Sequence, residues 1–231
     1  MFGLFRLYLS MAVVLHHLLR VPSVGGAAVF AFFTLSGFLM THILARTYGF
    51  GPSGFGAYLV NRCLRLLPAY WVAILIALLT ILVVGQPFAH GFNRAFGIPD
   101  SPADWVMNLT MIFPSLYPNS IEPRLFPIVW TLTVEFFYYV VLGLGATRTR
   151  MMAMIMVLAG LGYHLFGLVT GQDFDFHYHS ILAGALPFGA GGLAYHHREA
   201  LGRLLGNKAS LMLGLHMATL ALFALAYAVD V

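Results

Sequence analysis

A single cysteine, Cys63, leaves this chain without an intramolecular disulfide and without any cysteine metal cluster. Charge is nearly as scarce. Asp, Glu, Lys and Arg make up 9% of the 231 residues, against about a quarter in a soluble domain. The formal charge of +4 could suggest nucleic acid, but the basic residues form no dense patch and sit between apolar spans, so that partner is excluded. Low-complexity tracts and clear internal repeats are also missing. What abounds is apolar: 60% hydrophobic residues, 20 Phe and a mean hydropathy of +0.86. The 24 glycines fit the same picture, since Gly is commoner in membrane helices than in soluble ones. This is the composition of a polytopic integral membrane protein.

Apolar windows of about 17 to 20 residues predict seven spans: Leu4–Leu19, Ala27–Ala45, Leu66–Val84, Phe126–Leu144, Met151–Val169, Ile181–Tyr195 and Leu211–Val229. The expected fold is all-α, a transmembrane helical bundle in one domain over residues 1–231. The first span reads as a signal anchor rather than a cleaved signal peptide, because its apolar core is span-length and a second span follows at once. A cytoplasmic N-terminus puts Arg6, Arg46, Arg62, Arg65, Arg148, Arg150, Arg198, Arg203 and Lys208 inside, and only Arg20, Arg94 and Arg124 outside. That is the positive-inside pattern. Within the long outer segment from Gly85 to Leu125, Trp105 to Phe113 is apolar but too short to span. It is expected to be an interfacial or re-entrant helix.

Few polar groups lie inside the spans. Arg6 and His17 in the first are eleven residues apart, which leaves them about 20° apart around a helix and about 16 Å apart along it. Ser10 shares that stripe, whereas His16 points elsewhere. Terminal polar residues are also common flanks of membrane helices, and the spacing alone fits that reading too. Glu135 is the only carboxylate within any span. Insertion of a charged carboxylate at mid-membrane costs roughly 2.5–3.5 kcal/mol, so the residue is either functional or a structural tie. Thr131, Tyr138 and Tyr139 share its face and could hydrogen-bond it. Arg62 and Arg65, spaced i,i+3, suggest a basic fork at the inner surface suited to phosphate, or a positive-inside pair on lipid headgroups. Pro68 is expected to interrupt the helix after them. Ser36, in a Ser-Gly pair, lacks the flanking pattern of a hydrolase nucleophile and reads as a close-packing position. The outer run from Asp173 to His179 alternates carboxylates and imidazoles. An acceptor-contacting or solvated loop is the simpler reading than a metal site. His42, His90, His164 and His216 read as isolated.

Taken in order, these fragments resemble the acyltransferase 3 family of integral membrane O-acyltransferases. The resemblance rests on Arg6 with His17, on Phe32-Phe33-Thr34-Leu35-Ser36-Gly37-Phe38-Leu39, and on Arg62-Cys63-Leu64-Arg65 with Pro68, Tyr70 and Trp71. It continues through Trp130-Thr131-Leu132-Thr133-Val134-Glu135 with Phe137-Tyr138, and ends at Leu186-Pro187-Phe188 and the glycines after it. It implies transfer of an acyl group, usually acetyl from acetyl-CoA, to a hydroxyl of a sugar or other extracytoplasmic acceptor. Acyl-CoA would serve as co-substrate, with no bound cofactor and no metal. The resemblance makes His17 the catalytic base and Arg62 with Arg65 part of acyl-donor recognition. Arg6 would assist the donor, Glu135 would complete the catalytic set, and Ser10, Ser36, Trp130 and Tyr138 would support it. The expected location is a multi-pass position in the bacterial inner membrane, with the lipid bilayer, acyl-CoA and a glycan or other hydroxyl acceptor as partners. Family members have about ten helices, so the chain is expected to be truncated at its C-terminus. A rival from another class is a seven-helix transporter or proton-coupled channel using Glu135 and His17 as a relay.

Overall fold

The computed structural model describes residues 2–19 and 24–205, and among them the regular structure is helical, with no strand. In chain order the helices are α1 (Phe2–Leu19), α2 (Val24–Ile43), α3 (Pro52–Val84), α4 (Gln86–Phe92) and α5 (Pro102–Thr110). Then come α6 (Trp130–Gly143), α7 (Arg150–Thr170), α8 (Phe174–Tyr178), α9 (Ala185–His196) and α10 (Arg198–Leu205). Three stretches, Gly25–Tyr48, Pro52–Val84 and Arg150–Thr170, are long and apolar enough to cross a bilayer. The protein is an integral membrane helical bundle. The predicted seventh span, Leu211–Val229, lies outside the described residues.

Backbone approach organises the bundle. Helix α2 packs most extensively on α9, and α9 packs in turn on α7. A Cβ on Gly191 would come within 2.0 Å of the Thr34 carbonyl oxygen, and one on Gly37 within 2.3 Å of the Phe188 carbonyl oxygen. On the opposite face, a Cβ on Gly160 of α7 would meet the Leu186 nitrogen at 2.4 Å. Helices in lipid gain little from burying apolar surface against one another, so small residues that admit close van der Waals contact dominate such interfaces. The glycine run in α9 therefore serves contact rather than a kink, and Pro187 is harmless because it lies in the first turn. Between the helices, the Phe188 ring lies stacked between Phe33 (5.0 Å) and Tyr138 (4.5 Å).

One expectation about α3 needs correction: the helix runs through Pro68 without interruption. It contains the predicted span Leu66–Val84 and begins earlier, at Pro52. Proline suits the first helical position, which hydropathy does not register. The interior proline is tolerated because neighbours pin the turn after it. Tyr70 Oη donates to the Asn108 carbonyl (2.6 Å) and Trp71 Nε1 to the Leu109 carbonyl (2.9 Å).

Those two bonds also show what the segment between α3 and α6 does. Helix α6 has 14 residues, about 21 Å of rise, which falls short of the roughly 30 Å hydrocarbon core. The remaining depth is filled by the segment before it. Met111, Phe113, Leu125 and Val129 are buried against Tyr70, Ile74 and Ile81 of α3. The segment is packed along the side of α3. Non-helical backbone at such depth needs every polar group paired, and buried Asn108 supplies the bonds. Its Nδ2 donates to the carbonyls of Asp104 and Pro123, and its Oδ1 accepts from the Leu125 N–H. Helix α5 is closed at its start by a reciprocal Ser101–Asp104 cap.

The glycine contacts carry a prediction. Gly191→Ala should destabilise the solubilised protein by about 1–3 kcal/mol, the usual cost of overpacking. Gly162→Ala, in open space on α7, should be neutral or slightly stabilising. Thermal unfolding in detergent measures both, and equal midpoints would refute the contact role.

Candidate active site

Glu135 is the sixth residue of α6, with 3% of its surface exposed. Both of its described hydrogen bonds go to Oε1. Tyr139 Oη donates at 2.5 Å from one turn along the same helix, and Ser36 Oγ donates at 2.9 Å from α2. Ser36 in turn accepts from Arg6 Nη2 of α1 at 3.3 Å. The Arg6 guanidinium lies over the Phe32 ring at 5.2 Å, and its first-turn position is braced by Ser10 Oγ donating to the Arg6 carbonyl. Among the described residues, no arginine pairs directly with Glu135. The cation instead acts across one hydroxyl, in an interior where charge is weakly screened. An acceptor-only carboxylate receiving two hydroxyl donors is a satisfied group.

The sequence grouped both tyrosines with Glu135, and only Tyr139 binds it. Tyr138 Oη donates instead to the Ile181 carbonyl (2.9 Å), and Thr131 Oγ1 to the Ile128 carbonyl. The i+4 position points back over the preceding turn, whereas i+3 is turned toward α9.

Arg62 and Arg65 do not form one surface fork. Arg65 is exposed, while Arg62 is buried in the core. Three residues along a helix leave side chains about 60° apart, enough to straddle the edge of a buried face. Arg62 contacts Met40 Sδ (3.7 Å) and lies 5.9 Å from the Tyr58 ring centre. Its Nε and the Tyr58 hydroxyl are both buried without a hydrogen-bond partner among the described residues. The Tyr58 ring meets Tyr139 at 6.4 Å. Tyr58 is thus the site neighbour that sequence reasoning passed over, and Tyr139 is one that it grouped with Glu135 without separating it from Tyr138. Each stands one helical turn from a charged residue it did notice.

A cavity of about 930 Å³ opens beside this network, with Glu135 on its wall. Ser10, Val13 and Val14 of α1 also line it. The His16 and His17 side chains lie outside the described residues. Farther along, Trp130 of α6 meets Tyr178 (5.1 Å) and His179 (4.6 Å) edge-on, and all three line the cavity. Burial pushes the Tyr178 hydroxyl up to about 12, so it is a neutral donor near pH 7. In the run from Asp173 to His179, Asp173 caps α8, Asp175 pairs with His179, and His177 Nδ1 meets His164 Nδ1 at 3.1 Å. His164 is therefore not isolated, and neither is His42, whose ring packs edge-on against Tyr195.

The helical bundle thus combines an internal carboxylate, two inward arginines and a large chamber. A family model described as an acyltransferase domain matches residues 2–230, and the chain belongs to that family, acyltransferase 3. It is a membrane protein that transfers acyl groups. No curated protein and no solved structure matches it.

The charge state of Glu135 can be tested through its donors. Ser36→Ala and Tyr139→Phe should each lower stability by about 1.5–3 kcal/mol, the range for hydrogen bonds to a charged group. In a Glu135→Gln background the same changes should cost only about 0.5–1.5 kcal/mol. Equal losses in the two backgrounds would mean that the carboxylate is uncharged.

Proposed function

We propose that the protein moves an acyl group, acetyl in the simplest case, from acyl-CoA to a hydroxyl of a sugar or other extracytoplasmic acceptor. The observation that carries this reading is the chamber itself. One cavity reaches from the Glu135 network to the Trp130–Tyr178–His179 wall, so donor and acceptor can meet without leaving the protein.

In this reaction His17 is the general base. Imidazole has a pKa suited to removing the hydroxyl proton as attack proceeds. The acceptor oxygen bonds to the thioester carbonyl carbon, the C–S bond breaks, and the proton held by His17 passes to the departing CoA thiolate. Glu135, fixed by Ser36 and Tyr139, supplies negative charge to the site, which favours the imidazolium that forms midway. Arg65, on the exposed face of α3, grips CoA phosphate. Buried Arg62 and half-buried Arg6 give the interior more cation than carboxylate, which favours an anionic donor group. Ser10, Trp130 and Tyr138 hold the surrounding walls. The reading treats residues 1–231 as one domain, with the N-terminus and donor on the cytoplasmic side of a bacterial inner membrane.

The test is acceptor-dependent CoA release by membranes carrying the protein, with acetyl-CoA supplied at the cytoplasmic face and a panel of glycans. His17→Ala should abolish release at unchanged abundance, while His16→Ala retains most of it. Arg65→Ala should raise the apparent constant for acetyl-CoA about tenfold or more, as expected for losing a charge-assisted hydrogen bond, and leave the acceptor constant alone. Equal activity of the two histidine variants, or donor use only from the outer face, would overturn the assignment.

A further inference from the structure

The wall of the cavity away from Glu135 has a chemistry of its own. Three imidazoles converge there, from His164 on α7 and from His177 and His179 on and after α8. His179 is the best placed of them. Its Nδ1 lies 2.6 Å from Asp175 Oδ1, and its side chain is largely buried while Asp175 faces outward. A carboxylate in that position keeps the proton on Nδ1, which leaves Nε2 as a bare acceptor held at a fixed angle.

The setting of the ring is aromatic. His179 and Tyr178 both meet Trp130 edge-on, and Tyr178 is stacked on Phe30 at 5.9 Å. The strap carrying these rings is tied to α7 through the His164–His177 contact. That contact has room only because residue 167 is glycine, whose Cβ would come within 2.6 Å of the His177 ring. Aromatic faces and edges suit the C–H surface of a pyranose, and an oriented imidazole at their rim suits one of its hydroxyls.

We propose that Trp130, Tyr178 and His179 form the acceptor subsite, that its occupant is a sugar residue, and that His179 Nε2 accepts a hydrogen bond from a sugar hydroxyl. The subsite deepens the acyl-transfer reading, on which it rests only for calling the bound sugar an acceptor. Asp175 is a positioning residue that acts through His179. Neither is needed for donor binding.

Binding can be tested without turnover. The chain has three tryptophans, and Trp71→Phe with Trp105→Phe leaves Trp130 as the only one. Its fluorescence in the detergent-solubilised full chain is titrated with the methyl glycosides of glucose, galactose, mannose and N-acetylglucosamine, and with 1-octanol as an apolar alcohol. A saturable change is expected with at least one glycoside. His179→Phe keeps the ring contact with Trp130 but has no acceptor, and should weaken that binding about tenfold. His179→Asn restores an acceptor and should stay within about threefold of the parent. Asp175→Asn should fall between them. No saturable response to any glycoside in protein of unchanged melting temperature overturns the subsite, as does an unchanged constant in His179→Phe or a response to 1-octanol alone. Glycoside binding through His179 without CoA release keeps the subsite and rejects the transfer reading. CoA release whose acceptor constant ignores His179→Phe does the reverse.

Discussion

A carboxylate in a membrane helix has to be met by donors fixed in place, because lipid offers it none. Glu135 meets this demand with one donor from its own helix and one from α2, and the α2 donor is the demanding one. Ser36 sits beside Gly37, and Gly37 is where α2 comes within backbone contact of α9. The glycine contact sets the depth and rotation of α2, and with them the position of the hydroxyl. Arg6 then reaches the same hydroxyl from α1. Three helices are thereby registered to one carboxylate, and the packing of α9 is part of the electrostatics of the site.

The helical class, the membrane setting and the family were legible from composition and from ordered fragments. Arg6 and Glu135 also stood out, as charged residues in apolar spans, whereas Ser36 read as a close-packing position and its bond to Glu135 was not legible. The length of α3 was not legible, since its first turns around Pro52 and Asn61 lack the hydropathy that defines a window. Nor was the division between Arg62 and Arg65. Spacing fixes the angle between two side chains but not where the edge of the buried face falls between them. Tyr139 was one of two tyrosines at helical spacing from Glu135, and only the placement of α9 sends Tyr138 elsewhere.

The outer wall was hardest to read. The run from Asp173 to His179 shows alternating carboxylates and imidazoles, a pattern that suits several chemistries. Folding it into a short capped helix separates these side chains by role: Asp173 closes the helix, His177 ties it to α7, and His179 turns toward Trp130. Asp173 acts on its own helix, but the α7 partner of His177 and the α6 partner of His179 are distant in sequence. Tertiary contacts decide what such a loop does.

The segment between α3 and α6 has a consequence for the cell rather than for the reaction. A protein with ionisable groups and a chamber inside the bilayer risks becoming a leak for protons and small ions. Beside α3, Met111, Phe113, Leu125 and Val129 are almost wholly buried, and the two buried polar side chains of the segment, Asn108 and Arg124, give their donors to backbone carbonyls. Pairing of that kind leaves few polar footholds for water on this flank of α3.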